Sequence, residues 1–124
     1  MARIVLDTTV VIDHLRDAAL TQTWFATLTD APFCSEVTRV EVMQGLRSHE
    51  RSVAENFLAG IDWVPVSEPI ARLAGELGRR YRRSHNGISV VDLIVAATAV
   101  HLGAALATAN VRHYPVFPRL RPPY

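Results

Sequence analysis

The chain of 124 residues contains no lysine, and all 13 of its basic residues are arginine. A protein without lysine cannot form a lysine Schiff base with a carbonyl substrate, and it cannot complete a Walker A phosphate-binding loop. It also lacks the lysine that a phosphoacceptor receiver site requires. Because 12 acidic residues nearly balance the arginines, the formal net charge is only +1, too small to indicate a nucleic-acid-binding protein by its overall field.

Cysteine is almost as scarce, because Cys34 is the only one in the sequence. A single thiol cannot form an internal disulfide, and no Cys/His spacing typical of a zinc site occurs, so we expect a reduced, cytoplasmic environment. The amino terminus reaches Asp7 before the apolar core of a signal peptide is complete. The uncharged stretch over residues 93–111 has the length of a membrane span, but Gly103 divides it. We therefore expect a buried helix followed by a strand, and no membrane segment.

Short apolar runs alternate with helical patterns along the chain, which is typical of an α/β fold with a mainly parallel sheet. The predicted strands cover residues 4–6, 33–35, 61–66 and 104–107. The predicted helices cover residues 10–16, 20–29, 37–47, 52–59, 67–83 and 89–102. Thr8 or Thr9 is expected to cap the first helix, and Pro65 suggests an edge strand. No linker divides the chain, so we expect one domain over residues 1–124, with an irregular proline-rich tail from Tyr114 onward.

Three carboxylates stand near the starts of predicted helices, and each has a structural as well as a functional interpretation. Asp7 directly follows the first strand, where an aspartate commonly forms a turn or a helix cap. Asp92 has the spacing of a capping box with Ser89, yet its helical neighbours are mostly apolar, which favours an inward-facing, functional carboxylate. Glu41 has the same capping-box spacing from Thr38.

The functional interpretation depends on the three acids coming together. Ligands of parallel sheets bind beyond the carboxyl ends of the strands, and each acid is predicted near that edge. Gly45, one helical turn after Glu41, leaves space for something to approach. Clustered carboxylates repel one another unless a hard cation neutralises them, and oxygen ligands suit Mg²⁺ or Mn²⁺. Such a cation activates water and stabilises charge on a phosphate, so the cluster predicts metal-assisted phosphodiester hydrolysis.

Four segments resemble the motifs of PIN-domain nucleases, in particular the VapC toxins of bacterial and archaeal toxin–antitoxin pairs. They are residues 4–10, 35–45, 92–99 and 106–114, and their order and spacing match over residues 4–117. The resemblance implies a PIN-like three-layer fold, with a mainly parallel central sheet and helices on both faces. It also implies a metal-dependent endoribonuclease in which Asp7, Glu41 and Asp92 hold Mg²⁺ or Mn²⁺ and activate the attacking water.

The sequence departs from the family at the fourth acid, where it has Asn110, or His113 three residues later. Asn110 can still bind a metal or a water through its amide oxygen, so it is a catalytic candidate. Thr108 is expected to position a water or a carboxylate, or else simply to end a strand, and Thr8 is a further supporting residue. Because the fourth acid is missing, a PIN domain that binds RNA or a partner protein without cleavage stays an alternative.

Arginines are concentrated at the end of the long predicted helix, around Tyr81. Such a charge run is most often a solvated helix end, but arginine suits phosphate and an interleaved aromatic ring offers a stacking surface. Arg112, beside Asn110, is expected to contact the scissile phosphate directly. The candidate RNA-binding residues are therefore Arg79, Arg80, Arg82, Arg83 and Arg112.

The resemblance also implies partners for this chain. They are a second copy in a homodimer and a cognate VapB-type antitoxin, whose peptide lies in the groove near the acids of a heterotetramer or larger assembly. An apolar stripe on the second predicted helix is expected to belong to the core. The alternative interpretation is a surface that contacts the second copy or the antitoxin. The stripe consists of Leu20, Trp24, Phe25 and Leu28. A DNA-directed nuclease would need added elements to grip a duplex, and a flavodoxin-like ligand binder would leave the inward acids unexplained.

Overall fold

Four three-residue strands form one parallel sheet in this computed structural model, which describes residues 2–124. They are β1 (Ile4–Leu6), β2 (Phe33–Ser35), β3 (Asp62–Val64) and β4 (Ala105–Ala107). Their order across the sheet is β3-β2-β1-β4, and every neighbouring pair is parallel. The parallel sheet that the sequence predicts is confirmed, and β3 is an edge strand, as Pro65 just beyond it suggests.

Each strand is connected to the next one along the chain by a pair of helices. The first pair, α1 (Thr8–Arg16) and α2 (Ala18–Phe25), leads from β1 to β2. The second pair is α3 (Glu36–Gly45) and α4 (Arg51–Leu58), and the third is α5 (Glu68–Tyr81) and α6 (Val90–Leu102). Short 3-10 helices cover Ser48–Glu50 and Val111–His113. Within residues 2–124, none of these helices has the length and apolar character that a bilayer crossing requires.

Two predictions about helix starts are wrong. Neither Thr8 nor Thr9 caps α1, because Asp7 occupies the N-cap position. The capping box predicted between residues 38 and 41 does not form, because α3 already begins at Glu36. Ser35 caps that helix, its hydroxyl oxygen accepting a hydrogen bond of 3.2 Å from the backbone N–H of Val37. Glu41 therefore lies in the second turn of α3 rather than in the first.

Helices cover both faces of the sheet. Val5 and Leu106 pack into one cluster with apolar residues of α5 and α6. Leu6 and Ala107, the next residues along the same strands, pack into a second cluster with residues of α1, α3 and α4. Because successive strand side chains point to opposite faces, the two clusters lie on opposite sides of the sheet. This arrangement confirms the predicted three-layer fold.

The tail after the last 3-10 helix contains no further helix or strand, as predicted, but it is packed against the domain. Tyr114 is 1% exposed and belongs to the core on the α5–α6 side. At the far end, the Tyr124 hydroxyl donates a hydrogen bond of 2.5 Å to Asp13 on α1. Three apolar side chains between these tyrosines pack against the same α5–α6 cluster, namely Val116, Phe117 and Leu120. The packed tail thus brings Tyr114 to a fixed position in the domain.

The predicted apolar stripe divides between core and surface. Trp24 and Phe25 are partly buried against the cluster beside α1, and their rings lie 5.0 Å apart. Leu20, in contrast, is 49% exposed. Core packing therefore accounts for the aromatic members of the stripe, while Leu20 lies on the surface of α2.

We expect Cys34 to be nearly inert to thiol reagents in the native protein. Cys34 lies inside the sheet with no exposed surface, and burial raises its pKa from 9.0 to about 12. Because the thiolate is the reactive form, labelling at pH 8 should be about 1,000-fold slower than in urea-unfolded protein. Reaction with Ellman's reagent measures this directly, since the chain has no other thiol. Similar rates with and without urea would contradict the central position of β2.

Candidate active site

The direction in which the chain moves across the sheet changes at β1. From β1 the chain proceeds to β2 and β3 on one side, whereas β4 lies on the other side. In parallel α/β sheets, ligands bind beyond the carboxyl ends of the strands at such a switch point. Asp7 directly follows β1 and Thr108 directly follows β4, and the Asp7 N–H donates to the Ala107 carbonyl oxygen at 2.9 Å. Both residues therefore lie at the expected position of a ligand site.

The Asp7 carboxylate is buried and fully engaged with hydroxyl groups. Although Asp7 is the N-cap residue of α1, its side chain makes no capping hydrogen bond. Its Oδ2 atom accepts from the hydroxyls of Thr9 at 2.8 Å and Thr108 at 2.7 Å, and its Oδ1 atom accepts from the Tyr114 hydroxyl at 2.7 Å. Asp7 is 3% exposed, and a buried carboxylate requires such donors. The helix-cap interpretation therefore does not account for Asp7.

Asp92 satisfies both of the interpretations that its sequence position left open. Its Oδ2 atom accepts from the Ser89 N–H at 2.9 Å, and its own N–H donates to the Ser89 hydroxyl at 3.1 Å, so the predicted capping box is confirmed. The same Oδ2 atom lies 3.1 Å from His113 Nδ1. The other oxygen, Oδ1, lies 3.4 Å from the Tyr114 hydroxyl, on the side of Asp7. Asp92 thus caps α6 and faces the buried acid at once.

Tyr114 joins the two carboxylates. Its hydroxyl carries one proton, which is donated to the nearer acceptor, Asp7 Oδ1 at 2.7 Å, while Asp92 Oδ1 lies at 3.4 Å. Burial raises the pKa of Tyr114 far above its ordinary value, and the negative charges of Asp7 and Asp92 raise it further. The hydroxyl therefore keeps its proton throughout the physiological pH range and remains a neutral donor between two acids.

Glu41 is not brought into this group. It is half-buried in the second turn of α3 and, in the part of the chain that the structure describes, makes no hydrogen bond or ion pair with Asp7 or Asp92. Across residues 2–124, no three His, Cys, Asp or Glu side chains lie close enough together to hold one metal ion. Gly45 does leave open space beside α3, as the sequence suggests, because a Cβ atom there would meet nothing within 4 Å.

Asn110 and His113, which stand where relatives have a fourth acid, flank the acid pair. The Asn110 N–H donates to the Thr108 hydroxyl oxygen at 2.9 Å, and the Asn110 side-chain amide lies 3.1 Å from His113 Nδ1. Thr108 in turn donates to Asp7, and His113 contacts Asp92. Asn110 therefore reaches each carboxylate only through one intervening side chain.

Sequence reasoning missed two residues that contact the acids. Thr9 and Tyr114 both donate to Asp7, whereas Thr8, the predicted supporting residue, donates to Thr38 on α3 at 3.2 Å. The position of Thr9, two residues after Asp7, could have indicated this contact, because threonine hydroxyls often form hydrogen bonds with groups that are close in the sequence. No local signal points to Tyr114, because its contact with Asp7 spans 107 residues of chain.

The carboxylate oxygens that retain free lone pairs show how a divalent cation would fit. Oδ2 of Asp7 and Oδ2 of Asp92 each accept two hydrogen bonds or close contacts already. The two Oδ1 atoms each keep lone pairs, and both face the Tyr114 hydroxyl. Mg²⁺ is commonly held in proteins by one or two carboxylates, with waters completing its shell. The donor set therefore suits a divalent cation, which Asp7 and Asp92 would hold with waters completing its shell.

The candidate RNA-binding arginines occupy two different places. Arg112 lines a cavity of about 500 Å³ that is also bordered by Tyr114, His85 and Asn86. Three other arginines line a larger cavity of about 770 Å³ between α5 and α6, whose remaining walls are mostly apolar; they are Arg79, Arg82 and Arg83. Of all these arginines, only Arg112 therefore shares a cavity with a residue that contacts the acid pair.

The fold and the site define a parallel α/β protein with an acidic centre at the switch point of its sheet. The family model described as "PIN domain" matches residues 4–117. Ribonuclease VapC19 of Mycobacterium tuberculosis is 44% identical over 122 residues, which cover 96% of this chain and 98% of that protein. Ribonuclease VapC10 of the same organism is 42% identical over 123 residues, which cover 98% of this chain and 92% of that protein. The chain belongs to the PIN domain family.

Solved structures with the same fold agree with this assignment. A chain of a toxin–antitoxin complex from Klebsiella pneumoniae superposes with a TM-score of 0.84 and 23% identity, covering 98% of both chains. A chain of the DNA-bound VapBC complex from Salmonella typhimurium gives a TM-score of 0.80 at 19% identity, covering 98% of this chain and 96% of that one. At such identities the likeness shows the fold, and it confirms the predicted PIN-like architecture.

Replacing Thr108 with valine tests the hydrogen bonding of Asp7. The valine keeps the shape but removes a donor from Asp7 Oδ2 and the acceptor of the Asn110 N–H, so we expect the free energy of unfolding to fall by at least about 1.5–3 kcal/mol, the usual range for a bond to a charged group. Thr98→Val is the matched control, because Thr98 is equally buried but donates to the neutral carbonyl oxygen of Ile94 in its own helix. Urea unfolding of both variants measures the difference. A smaller loss for Thr108→Val than for Thr98→Val would contradict the described site.

Proposed function

We propose that this protein is a metal-dependent endoribonuclease of the VapC type, the toxin of a toxin–antitoxin pair. The observation that carries the proposal is the acid pair: Asp7 and Asp92, distant in sequence, meet at the switch point of the sheet with one hydroxyl between them. The names of the relatives, which are VapC ribonucleases at 44% and 42% identity over nearly the whole chain, support the same activity. The reaction is hydrolysis of RNA phosphodiester bonds.

The cofactor is Mg²⁺ or Mn²⁺, with Asp7 and Asp92 as its protein ligands. When bound, such a cation supplies a water of lowered pKa and stabilises negative charge on the phosphate. Thr9 and Thr108 fix the orientation of Asp7, and hydrogen bonds that orient a ligand in this way govern how well it binds a metal. Glu41 makes no direct contact with the pair in the described residues, so we propose that it acts as a third acid through a water bound to the cation.

Asn110 and His113 take the place of the fourth acid without adding negative charge. His113 holds Asp92 through its Nδ1 atom, and Asn110 lies beside the same nitrogen. Because neither residue is acidic, we propose that they orient Asp92 and nearby water rather than bind a second cation. The centre therefore works with one divalent ion.

The RNA backbone is proposed to pass through the cavity that Arg112 shares with Tyr114. Arg112 is exposed, and none of the residues that line this cavity is acidic, so the cavity suits a phosphate. Phe117 and the neighbouring Pro118 provide apolar walls against which a base can stack. Tyr114, which contacts both acids, also lines this cavity, and this supports an RNA path from Arg112 toward the acid pair. Arg79, Arg80, Arg82 and Arg83 are proposed to bind more distant parts of the same RNA.

The proposed partner is a VapB-type antitoxin. The titles of the superposable structures describe a toxin–antitoxin complex and VapBC bound to DNA, which supports the same kind of assembly for this chain. We propose that the toxin forms a homodimer and that the antitoxin joins it in a heterotetramer or larger complex. The assembly acts in the cytoplasm, where its RNA substrate is found.

Cleavage of total bacterial RNA by purified, antitoxin-free protein tests the proposal. We expect discrete fragments with Mg²⁺ or Mn²⁺ and none with chelator. Asp92→Asn should lower the cleavage rate by at least about 100-fold, the scale on which loss of one transition-state contact is felt. Asp62→Asn is the matched control, because Asp62 is an exposed carboxylate on the edge strand β3, and it should cleave like the wild type.

Two outcomes of this experiment would contradict the proposal. Equal fragments from wild type and Asp92→Asn would indicate a contaminating nuclease. RNA that is bound but uncut by folded wild-type protein would instead favour a PIN domain that binds RNA without cleaving it. The replacement of the fourth acid by Asn110 and His113 would then account for the lost cleavage.

The proposed RNA path predicts that two exposed arginines, Arg112 and Arg72, contribute differently to RNA affinity. In an Asp92→Asn background, which holds RNA without cutting it, Arg112→Ala should weaken RNA binding and reduce the slope of log affinity against log salt by about one, since one phosphate contact is lost. Arg72→Ala is the control, because Arg72 pairs with Glu68 on α5 and lines neither cavity. Fluorescence anisotropy at several salt concentrations measures both. Equal effects of the two substitutions would contradict the path.

A further inference from the structure

The Tyr114 hydroxyl contacts the same two oxygens that a divalent cation needs. Asp7 Oδ1 lies 2.7 Å from it and Asp92 Oδ1 lies 3.4 Å from it. The other oxygen of each acid is already occupied, by threonine hydroxyls in Asp7 and by Ser89 and His113 in Asp92. Hydroxyl and cation therefore compete for the lone pairs of one pair of atoms.

Core packing alone does not explain why residue 114 carries a hydroxyl. The ring is 1% exposed and packs with apolar residues of α5 and α6, a place that phenylalanine would fill equally well. Burying a hydroxyl is unfavourable unless it finds a partner, and within residues 2–124 the only partners of this one are Asp7 and Asp92. The role of the hydroxyl therefore concerns the acid pair.

We propose that the Tyr114 hydroxyl lowers the divalent-metal affinity of the Asp7–Asp92 pair, because it contacts the carboxylate oxygens that would otherwise be free for a cation. The inference rests on the proposed metal-dependent function. The weakening follows from the hydrogen bond to Asp7 Oδ1, because a donated proton withdraws from that oxygen the electron density that a cation would share.

The direction of the effect follows from the other contacts of Asp7. Thr9 and Thr108 hold its Oδ2 atom at 2.8 and 2.7 Å, so the carboxylate keeps its orientation without Tyr114. Ser89 and His113 do the same for Asp92. Removing the tyrosine hydroxyl thus leaves both acids in place and returns a full lone pair to Asp7 Oδ1. The affinity for the cation should rise.

Calorimetric titration of Tyr114→Phe with Mn²⁺, in the absence of RNA, tests this directly. We expect Mn²⁺ to bind about three- to tenfold more tightly than to wild type, since a tenfold gain corresponds to the modest energy of one such hydrogen bond. Tyr124→Phe is the matched control: it also removes a tyrosine hydroxyl that donates to an aspartate, but that aspartate is Asp13, outside the pair. Its affinity for Mn²⁺ should equal that of wild type.

Thermal unfolding gives a second readout that does not depend on activity. Without Mn²⁺, Tyr114→Phe should unfold at a lower temperature than wild type, because a buried acid loses a donor. With Mn²⁺, its Tm should rise by more than that of wild type, because a ligand that binds the folded state more tightly stabilises it more, by an amount that grows with the logarithm of the affinity. A merely structural role would lower Tm equally in both conditions.

Unchanged or weaker Mn²⁺ binding by folded Tyr114→Phe would overturn the inference. If that variant does not fold, Tyr114→Met supplies a second apolar side chain without the hydroxyl, and the same gain is expected. Failure of both to fold would make the hydroxyl a structural requirement and would also overturn the inference.

Asp7→Asn separates this inference from the proposed function. If wild type binds Mn²⁺ and Asp7→Asn does not, the metal site stands, and an unaltered affinity in Tyr114→Phe then refutes the tuning role alone. If wild type itself binds no Mn²⁺, the metal-dependent function and the tuning role are both wrong.

Discussion

The buried carboxylate of Asp7 is the constraint to which the rest of the site is fitted. A charge at this depth costs several kcal/mol unless hydrogen bonds compensate it. Its three donors come from separate parts of the chain: Thr9 from the start of α1, Thr108 from the end of β4 and Tyr114 from the tail. The pairing of β4 with β1 and the packing of the tail are therefore linked to the stability of one acid.

The compensation comes from neutral hydroxyls, and this has an electrostatic consequence. In the described part of the chain no arginine makes an ion pair with Asp7 or Asp92; the arginine ion pairs join Arg39 to Glu36 and Arg72 to Glu68 on the surfaces of α3 and α5. Within residues 2–124, no arginine therefore offsets the charge of either acid. Such a pair favours a cation from solution.

The parts of this site that the sequence predicts are those set by local rules. An apolar run ending in Asp7 places that acid at the carboxyl edge of a parallel sheet, and the Ser89–Asp92 spacing gives both the start of α6 and the position of its acid. Glu41 is harder to place, because its position within the helix depends on where the helix begins. Ser35 caps α3, which begins at Glu36, one residue before the predicted start at Val37.

Long-range contacts explain what the sequence could not predict. Tyr114 closes the predicted 106–114 motif, but nothing in that motif shows that its hydroxyl meets an acid at the other end of the chain. The arginine run around Tyr81 has the composition of a nucleic-acid contact. Three of its members, Arg79, Arg82 and Arg83, line a cavity between α5 and α6, which is separate from the cavity that Tyr114 borders. Fold class followed from periodicity, whereas the connections within the site followed from tertiary packing.

The central claim is that Asp7 and Asp92 together hold the divalent cation used for RNA hydrolysis. Anomalous diffraction from crystals of the antitoxin-free protein soaked in Mn²⁺ tests it most directly. The account predicts an anomalous peak at the acid pair, with an ion bound to Asp7 Oδ1 and Asp92 Oδ1 at about 2.0–2.3 Å. Crystals in which this position shows no peak, while Mn²⁺ is bound at other carboxylates, would contradict it.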